Sequence, residues 1–204
     1  MDQQQSHPPA AEAFIFDLDG TLTVPQLDFD AIRKETGIAG GPLLEELDRM
    51  EPGDSRRARK VLEAHEERAA TTSVLQPGAK ELLEELRRRK FPTAILTRNS
   101  RKSLDTVLEK HQLEIDATLS REEGPIKPSP EPVLTLCRKL NARAANTFFT
   151  GDYIFDLESA RGAGAISVLL LNQNNSGFSE LADLKIVHLE EILDFPQAQI
   201  KKTP

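Results

Sequence analysis

The protein has 204 residues, of which 38% are hydrophobic and 29% charged, and its formal net charge is −7. This length is enough for one hydrophobic core and one small additional module. The acidic balance disfavours nucleic acid as a partner, because binding its phosphates needs a basic surface. No run of about 18 apolar residues occurs, so we predict no membrane span.

The chain begins with a polar, proline-containing stretch, residues 1–12, without the basic start and apolar run of a secretory signal. We expect a disordered tail there. The single cysteine, Cys137, lies in an apolar helical pattern, so we expect it to pack in the core of a cytoplasmic protein. The four histidines are scattered without paired spacing, which argues against a histidine metal site.

The first predicted strand covers residues 13–16, an apolar run of the kind that parallel sheets bury on both faces. Asp17 and Asp19 follow two positions apart, so their side chains point the same way, and Gly20 permits a sharp turn. Two carboxylates directed at one point repel each other unless a cation lies between them. The end of this strand is therefore predicted to lie at an active-site edge of the sheet.

A charged segment without a convincing strand follows, and its pattern predicts three helices. Asp28 is expected to cap the first helix, and Pro42 to open the second at its first position. A third helix, capped by Asp54 or Ser55, is expected to run to about residue 70. We interpret the segment as a small helical insert; the alternative is an ordinary helical hairpin packed on the sheet.

The chain then returns to an α/β pattern, beginning with an amphipathic helix over residues 79–90. The strand 93–97 ends in Thr97, and Ser100 is typical of a helix N-cap. A helix over 100–110 is predicted from there. Its first backbone N–H groups are expected to face the same point as the Thr97 hydroxyl.

A short strand over 115–119 leads into a proline-rich loop, residues 124–132. Prolines on both sides of Lys127 stiffen this loop, a rigidity that a solvated surface lysine does not need. Lysine is a compact point charge that can approach a carboxylate and a phosphate together. The next helix is expected to start at Ser129 and Pro130 and to end near residue 140.

The strand 147–150 runs into Gly151 and Asp152. A helix that begins near Asp152 places Asp156 one turn further on the same face, where both carboxylates lie near its positive end. Taken alone, this pair is equally consistent with two helix-capping aspartates. The remaining pattern predicts strands and a helix at 166–171, 185–188 and 189–193.

Taken in chain order, these strand-end stretches resemble the four motifs of the haloacid dehalogenase-like superfamily of phosphatases and phosphotransferases. They are residues 14–23, residues 97–100, Lys127 with its prolines, and residues 151–156. The resemblance implies that Asp17 is the nucleophile that becomes an aspartyl phosphate and that Asp19 is the general acid and base. Carboxylates suit both roles. A dehalogenase of the superfamily would lack the acid at position 19, so phosphoryl chemistry is favoured.

The resemblance also implies which residues meet the phosphate. Thr97 would donate to the transferring phosphoryl group, and Lys127 would neutralise charge between nucleophile and phosphate. The further phosphate-binding residues that we infer from the same motifs are Gly20, Arg98 and Asn99.

The implied cofactor is Mg²⁺, which prefers hard oxygens and usually takes few carboxylates together with waters and substrate phosphate. Its implied ligands are Asp17, the backbone carbonyl of Asp19, and Asp152. Asp156 is expected to support these ligands without binding the ion.

In this superfamily an insertion after the first strand is a cap that folds over the catalytic face. The position and small size of residues 24–75, which we call the cap, are similar to the phosphoglycolate phosphatase-like branch. We therefore predict a doubly wound parallel α/β core domain, residues 1–23 and 76–204, with this helical cap inserted. Within the cap, we expect the glycine-rich turn 37–41 to approach the site and lend N–H groups to the substrate, unless it is a plain connector.

The predicted function is that of a Mg²⁺-dependent phosphatase for a small phosphorylated metabolite, as a monomer or weak dimer. A phosphomutase of the same superfamily ranks second, because a cap of about fifty residues is short for excluding water. A binding or scaffold protein on this fold is the alternative from another class. Such a protein would be expected to have lost an acid or the lysine, and none is lost here.

Overall fold

The computed structural model describes residues 11–195, so most of the predicted tail, residues 1–10, lies outside the described residues. Glu12 is held by the core. Its N–H donates to the Asn146 carbonyl at 2.8 Å, and its carboxylate accepts from the Arg143 backbone N–H at 2.8 Å. The prediction of a disordered tail is therefore wrong for Glu12, because hydrogen bonds with Arg143 and Asn146, just before β4, hold it in place.

Six parallel strands form one sheet in the order β3-β2-β1-β4-β5-β6. The strands are β1 Ala13–Phe16, β2 Thr93–Leu96, β3 Ala117–Leu119, β4 Thr147–Gly151, β5 Ile166–Leu170 and β6 Leu184–Ile186. Phe16 is in register with Ile95 of β2 and Thr150 of β4, so the C-terminal ends of these three strands lie side by side. After β1 the chain continues to β2, toward one edge of the sheet, and after β4 it continues to β5, toward the opposite edge. This is the doubly wound arrangement that we predicted.

Helices cover both faces of the sheet. Within the described residues they are α1 Phe29–Thr36, α2 Leu43–Arg49, α3 Pro52–Thr72, α4 Ala79–Arg88, α5 Arg101–His111, α6 Glu131–Lys139 and α7 Ile154–Gly162. Phe14 and Phe16 of β1 join an apolar cluster with α4 and α5, whereas Ala13 and Ile15 join one with α6 and α7. Cys137 of α6 is buried in the second cluster, as predicted.

Two helix starts in the insert differ from the predictions. Pro42 precedes α2 as its N-cap residue and is not its first helical residue. Helix α3 begins at Pro52, ahead of the predicted caps Asp54 and Ser55, because proline already has the backbone angle of a first helical residue.

Helix α7 begins at Ile154, close to Asp152, in agreement with the prediction. The Asp156 carboxylate accepts a hydrogen bond from the Tyr153 N–H at 3.0 Å and so caps the helix from inside its first turn. The helix predicted at 189–193 is a 3-10 helix, Leu189–Asp194.

The insert between β1 and α4 has an apolar cluster of its own, which includes Ile32, Leu47 and Leu62. The chain enters and leaves it at one place, since Thr23 and Leu75 form an antiparallel bridge. The end of α3 nevertheless packs into the core of the sheet through Ala70. The division into a core domain and a cap stays a prediction. Within residues 11–195, no helix is long and apolar enough to cross a membrane.

Candidate active site

Five charged side chains meet at the C-terminal edge of the sheet, and we call them the strand-edge cluster: Asp17, Asp19, Lys127, Asp152 and Asp156. Asp17 directly follows β1, Asp152 directly follows β4, and Lys127 lies in the loop after β3. The Lys127 Nζ donates to Asp17 Oδ1 at 2.5 Å and to Asp156 Oδ1 at 2.6 Å. The cation that the paired carboxylates require is therefore Lys127, and it joins Asp17 to Asp156.

Lys127 is only 4% exposed. Burying an ammonium group is costly unless carboxylates compensate its charge. Burial acts to lower the pKa of Lys127, but the Asp156 and Asp17 carboxylates outweigh it and raise this pKa above its usual value. The lysine is therefore a permanent positive charge beside Asp17.

The pKa values of three aspartates are raised. Burial raises the pKa of Asp17, and although Lys127 opposes this, the Asp156 and Asp152 carboxylates add to it. Burial, followed by the Asp156 carboxylate, raises the pKa of Asp152 to about 7. Burial raises the pKa of Asp19 to about 6. Four acids face one lysine here, and such an excess of negative charge favours binding of a further cation.

The oxygen atoms in this cluster suit a divalent metal ion. Asp17, Asp152 and Asp156 each offer a carboxylate oxygen, and these atoms lie within 4.8 Å of one another. An all-oxygen set of this kind fits Mg²⁺. Both oxygens of Asp156 already accept hydrogen bonds, one from Lys127 and one from the Tyr153 N–H. Asp17 and Asp152 are therefore the better ligands.

Gly20 lies against the Asp152 carboxylate. A Cβ atom built on Gly20 would come within 2.5 Å of Asp152 Oδ2, and its φ of 91° is in the region that favours glycine. Its N–H donates to the Thr23 carbonyl at 2.9 Å. We predicted Gly20 as a phosphate-binding residue, but this N–H is already used, and the geometry instead favours a role in letting the turn approach Asp152.

The loop after β2 uses its N–H groups within the protein. The Thr97 Oγ1 accepts from the Asn99 N–H at 3.1 Å, and the Ser100 N–H donates to Glu66 Oε2 at 3.2 Å. In α5 itself, the Arg101 N–H donates to Glu122 Oε2 at 2.8 Å and the Ser103 N–H to Ser100 Oγ at 3.2 Å. The expectation that the first N–H groups of α5 face the phosphate site is therefore wrong for these two. A hydroxyl can donate while it accepts, so Thr97 keeps its hydrogen for another partner.

Arg98, which we predicted to bind phosphate, joins the insert to the core. Its Nη2 donates to Glu45 Oε2 of α2 at 2.6 Å, and its Nη1 donates to the Lys127 carbonyl. The guanidinium also lies over the Phe155 ring, 4.6 Å from its centroid. These contacts favour a structural link over phosphate binding for Arg98.

A cavity of about 740 Å³ lies between the strand-edge cluster and the insert. It is lined by the whole cluster and by Thr97, Arg98 and Asn99. The opposite side comes from the insert, and we call it the cap wall: Pro25, Leu27, Phe29, Arg33, Gly41, Pro42, Leu43, Leu44 and Leu62. Gly41 brings one end of the predicted turn 37–41 to the cavity, whereas the expectation that this turn lends N–H groups to a substrate stays a prediction.

Glu66 also lines the cavity, although it was not among the predicted site residues. This residue of α3 is 2% exposed and forms an ion pair with Arg121. Burial raises the pKa of Glu66, while Arg121 opposes the shift. A signal for its burial was present, since Glu66 falls four residues from both Leu62 and Ala70, on the buried face of the helix.

Comparison with known proteins agrees with this geometry. Residues 23–170 match the family described as haloacid dehalogenase-like hydrolase. The chain belongs to this family. The resemblance inferred from the four motifs is thereby confirmed, and so is the prediction of a hydrolytic enzyme.

An uncharacterised hydrolase of Saccharomyces cerevisiae is 30% identical over 94% of this chain and 94% of its own length. An N-acetylmuramic acid 6-phosphate phosphatase of Pseudomonas putida is 27% identical over 89% of this chain and 96% of its own. The crystal structure of a putative phosphoglycolate phosphatase from Lactobacillus plantarum superposes with a TM-score of 0.77 at 20% identity, covering 92% of this chain and 100% of that one. Phosphatases are thus among the relatives of this haloacid dehalogenase-like hydrolase, and the last comparison supports its fold.

Proposed function

We propose that this hydrolase is a Mg²⁺-dependent phosphatase that cleaves a small phosphomonoester through an aspartyl phosphate on Asp17. The observation that carries the proposal is the buried Lys127 ammonium, 2.5 Å from Asp17 Oδ1 at the bottom of a cavity. A cation in that position neutralises charge as a carboxylate approaches a negatively charged phosphoryl group. The phosphatase among the relatives described above supports the same chemistry.

In the first step, an Asp17 carboxylate oxygen attacks phosphorus while the bond from phosphorus to the ester oxygen breaks. The leaving oxygen takes a proton from Asp19. A pKa of about 6 leaves part of the Asp19 population protonated near neutral pH, as a general acid requires. Thr97 at the end of β2 and Lys127 in the loop after β3 would donate to the phosphoryl oxygens.

In the second step, water attacks phosphorus and loses a proton to the Asp19 carboxylate. The bond from phosphorus to Asp17 breaks, which releases inorganic phosphate and restores both aspartates. Asp17, Asp152 and the backbone carbonyl of Asp19 would hold Mg²⁺. Asp156 would support these ligands through its ion pair with Lys127. When bound, the ion supplies positive charge that offsets the charge of the phosphoryl oxygens.

Water is the acceptor that this cavity favours. Phe29 and Tyr153, which both line it, are each 50% exposed, so the cavity reaches solvent. A phosphomutase has to exclude water while it passes the phosphoryl group to a sugar, and it therefore stays the second candidate. A scaffold role is disfavoured because the acids and the lysine are all present, and Lys127 forms ion pairs with Asp17 and Asp156.

The test is phosphate release from phenyl phosphate by the parent protein, with Mg²⁺ and with a chelator. Asp17→Asn should be folded and inactive, and acid-quenched parent protein should carry one phosphoryl group that the variant lacks. Asp105→Asn, which neutralises an exposed aspartate on α5, is the matched control and should behave as the parent does. Turnover by Asp17→Asn within about tenfold of the parent would contradict the assignment, since loss of a covalent nucleophile should cost far more.

A further inference from the structure

The loop after β5, residues 171–175, reaches the strand-edge cluster from the strand that pairs with β4. Its Asn172 Nδ2 donates to Asp152 Oδ2 at 3.2 Å, and its Asn175 Nδ2 donates to the Asp152 carbonyl at 2.8 Å. The loop therefore holds Asp152 by both its side chain and its backbone. Neither asparagine belongs to the four motifs from which the site residues were predicted.

Asn175 anchors this loop to the end of β5, and its side chain is only 3% exposed. In addition to its bond with Asp152, its Nδ2 donates to the Leu170 carbonyl at 2.9 Å. Its Oδ1 accepts from the Asn172 N–H at 2.8 Å. A buried amide whose donor and acceptor sides are both used fixes the backbone around it. The place of Asn172 beside Asp152 is therefore set by the fold.

The two ends of the Asn172 amide have different partners. Its Oδ1 accepts from the Asn174 N–H at 2.8 Å, so the Nδ2 end is the one that faces Asp152. This donor is neutral, and it orients the carboxylate without cancelling the negative charge that attracts a metal ion. Asp156 differs in this respect, because its carboxylate forms an ion pair with Lys127. The contacts thus suit Asp152 to binding an ion directly.

We propose that Asn172, anchored by Asn175, is a positioning residue that orients the Asp152 carboxylate for Mg²⁺. This inference rests on the proposed function, because it concerns one of the ligands assigned to the ion there. Fixing Oδ2 of a planar carboxylate also fixes the direction of Oδ1. Mg²⁺ demands near-ideal octahedral geometry, whereas Ca²⁺ accepts irregular sets of oxygen ligands. Loss of this orientation should therefore weaken Mg²⁺ binding more than Ca²⁺ binding.

The experiment measures the Kd of Mg²⁺ and the Kd of Ca²⁺ by calorimetry. Asn172→Ala should weaken Mg²⁺ by about 10-fold, as expected for an exposed group that orients a metal ligand, and Ca²⁺ by no more than about twofold. Asp152→Asn removes a ligand oxygen and a charge, so it should weaken both ions. Asn174→Ala is the matched control, because it removes an exposed amide from the same loop and keeps the N–H that donates to Asn172. This control should bind both ions as the parent protein does.

Thermal unfolding separates this role from a contribution to folding. Without added metal ions, Asn172→Ala should unfold at the temperature of the parent protein, whereas its stabilisation by Mg²⁺ should be smaller. An unchanged Kd of Mg²⁺ in Asn172→Ala overturns the inference, and so does an equal loss of affinity for Mg²⁺ and Ca²⁺. If no ester is hydrolysed but the preference for Mg²⁺ depends on Asn172, the proposed function fails and the positioning role stands. If esters are hydrolysed with Mg²⁺ and Asn172→Ala binds both ions as the parent does, the proposed function stands and this inference fails.

Discussion

The two sides of the cavity differ in their content of charged side chains. At the strand-edge cluster, Lys127 and Asp156 are almost fully buried and their charges are compensated at hydrogen-bonding distance. On the cap wall, apolar side chains surround Arg33, whose Nη1 has no partner among the described residues. The first side pairs its lysine with two carboxylates and keeps an excess of negative charge, whereas the second side is mostly apolar. Under the proposed function, chemistry on the phosphoryl group would belong to the sheet, and selectivity for the remainder of the substrate to the insert.

The two sides also differ in how the backbone supports them. Asp17 and Asp152 directly follow adjacent parallel strands, whose register sets the spacing between them. Arg33 instead depends on a single carbonyl in the turn before α2. Changes at the sheet edge should therefore affect every substrate, while changes on the cap wall should affect some substrates far more than others.

The largest expected effect concerns Lys127→Met. Removing the ammonium leaves Asp17 and Asp156 without their shared cation, so kcat/KM should fall by about 100-fold to 1000-fold for any phosphate ester. Stability should fall by about 3–5 kcal/mol, the usual result of removing one partner of a buried ion pair. Kinetics on two unrelated esters and urea unfolding measure these losses. Lys139→Met, at an exposed position of α6, is the control. A loss of kcat/KM for only one of the two esters would contradict a general role of Lys127.

Next in size is the contrast between Asp152→Asn and Asp156→Asn. Asp156 already has hydrogen-bond partners on both oxygens, so its loss should weaken Mg²⁺ by about 10-fold to 100-fold through altered orientation of its neighbours. Loss of Asp152 should weaken Mg²⁺ more, because a ligand oxygen disappears. Calorimetric titration with Mg²⁺ measures the affinity of each variant, and the Mg²⁺ dependence of activity provides a second measurement. Equal affinities in the two variants would argue that both carboxylates bind the ion directly.

The smallest effect distinguishes two neighbouring glycines of the turn 37–41. Gly41 has a φ of 79° and its carbonyl accepts from Arg33, so Gly41→Ala should cost about 1–2 kcal/mol of stability. A Cβ on Gly40 meets no described atom within 4 Å, and Gly40→Ala should stay within about 0.5 kcal/mol of the parent. Thermal unfolding of both variants tests this contrast. Equal stability of the two variants would show that the positive φ of Gly41 does not constrain the residue at this position.

The sheet and its acidic edge could be predicted because short-range patterns determine them. The short buried strands β1, β2 and β4 are each followed directly by a polar side chain, and parallel pairing places those side chains at one edge. The partners of Arg98 and Glu66 could not be predicted in the same way. Arg98 meets Glu45 across 53 positions and Glu66 meets Arg121 across 55, and such contacts depend on how the insert sits on the core.

The N–H groups at Gly20 and Ser100 illustrate the same limit on a smaller scale. Both positions carry the residue types of a phosphate-binding turn or a helix N-cap. Their donors are used by Thr23 and Glu66, and neither partner follows from the motif alone. A motif therefore indicates which chemistry is available, while the surrounding contacts decide which of its groups remain free for a substrate.

The buried link between α3 and the core limits how the insert can move. Glu66 pairs with Arg121 almost out of contact with water, and Lys110 donates to the carbonyls of Thr71 and Ser73 at 2.7 Å. Pulling α3 away would expose this pair and the apolar surface around Ala70, whereas α2 is tied to the core by the more exposed pair of Glu45 and Arg98. Because Ile32, Leu47 and Leu62 join α1, α2 and α3 in one apolar cluster, moving α1 and α2 over α3 would expose apolar surface as well. The three helices are therefore expected to stay together on the sheet, and a substrate would enter through the solvent-exposed side of the cavity.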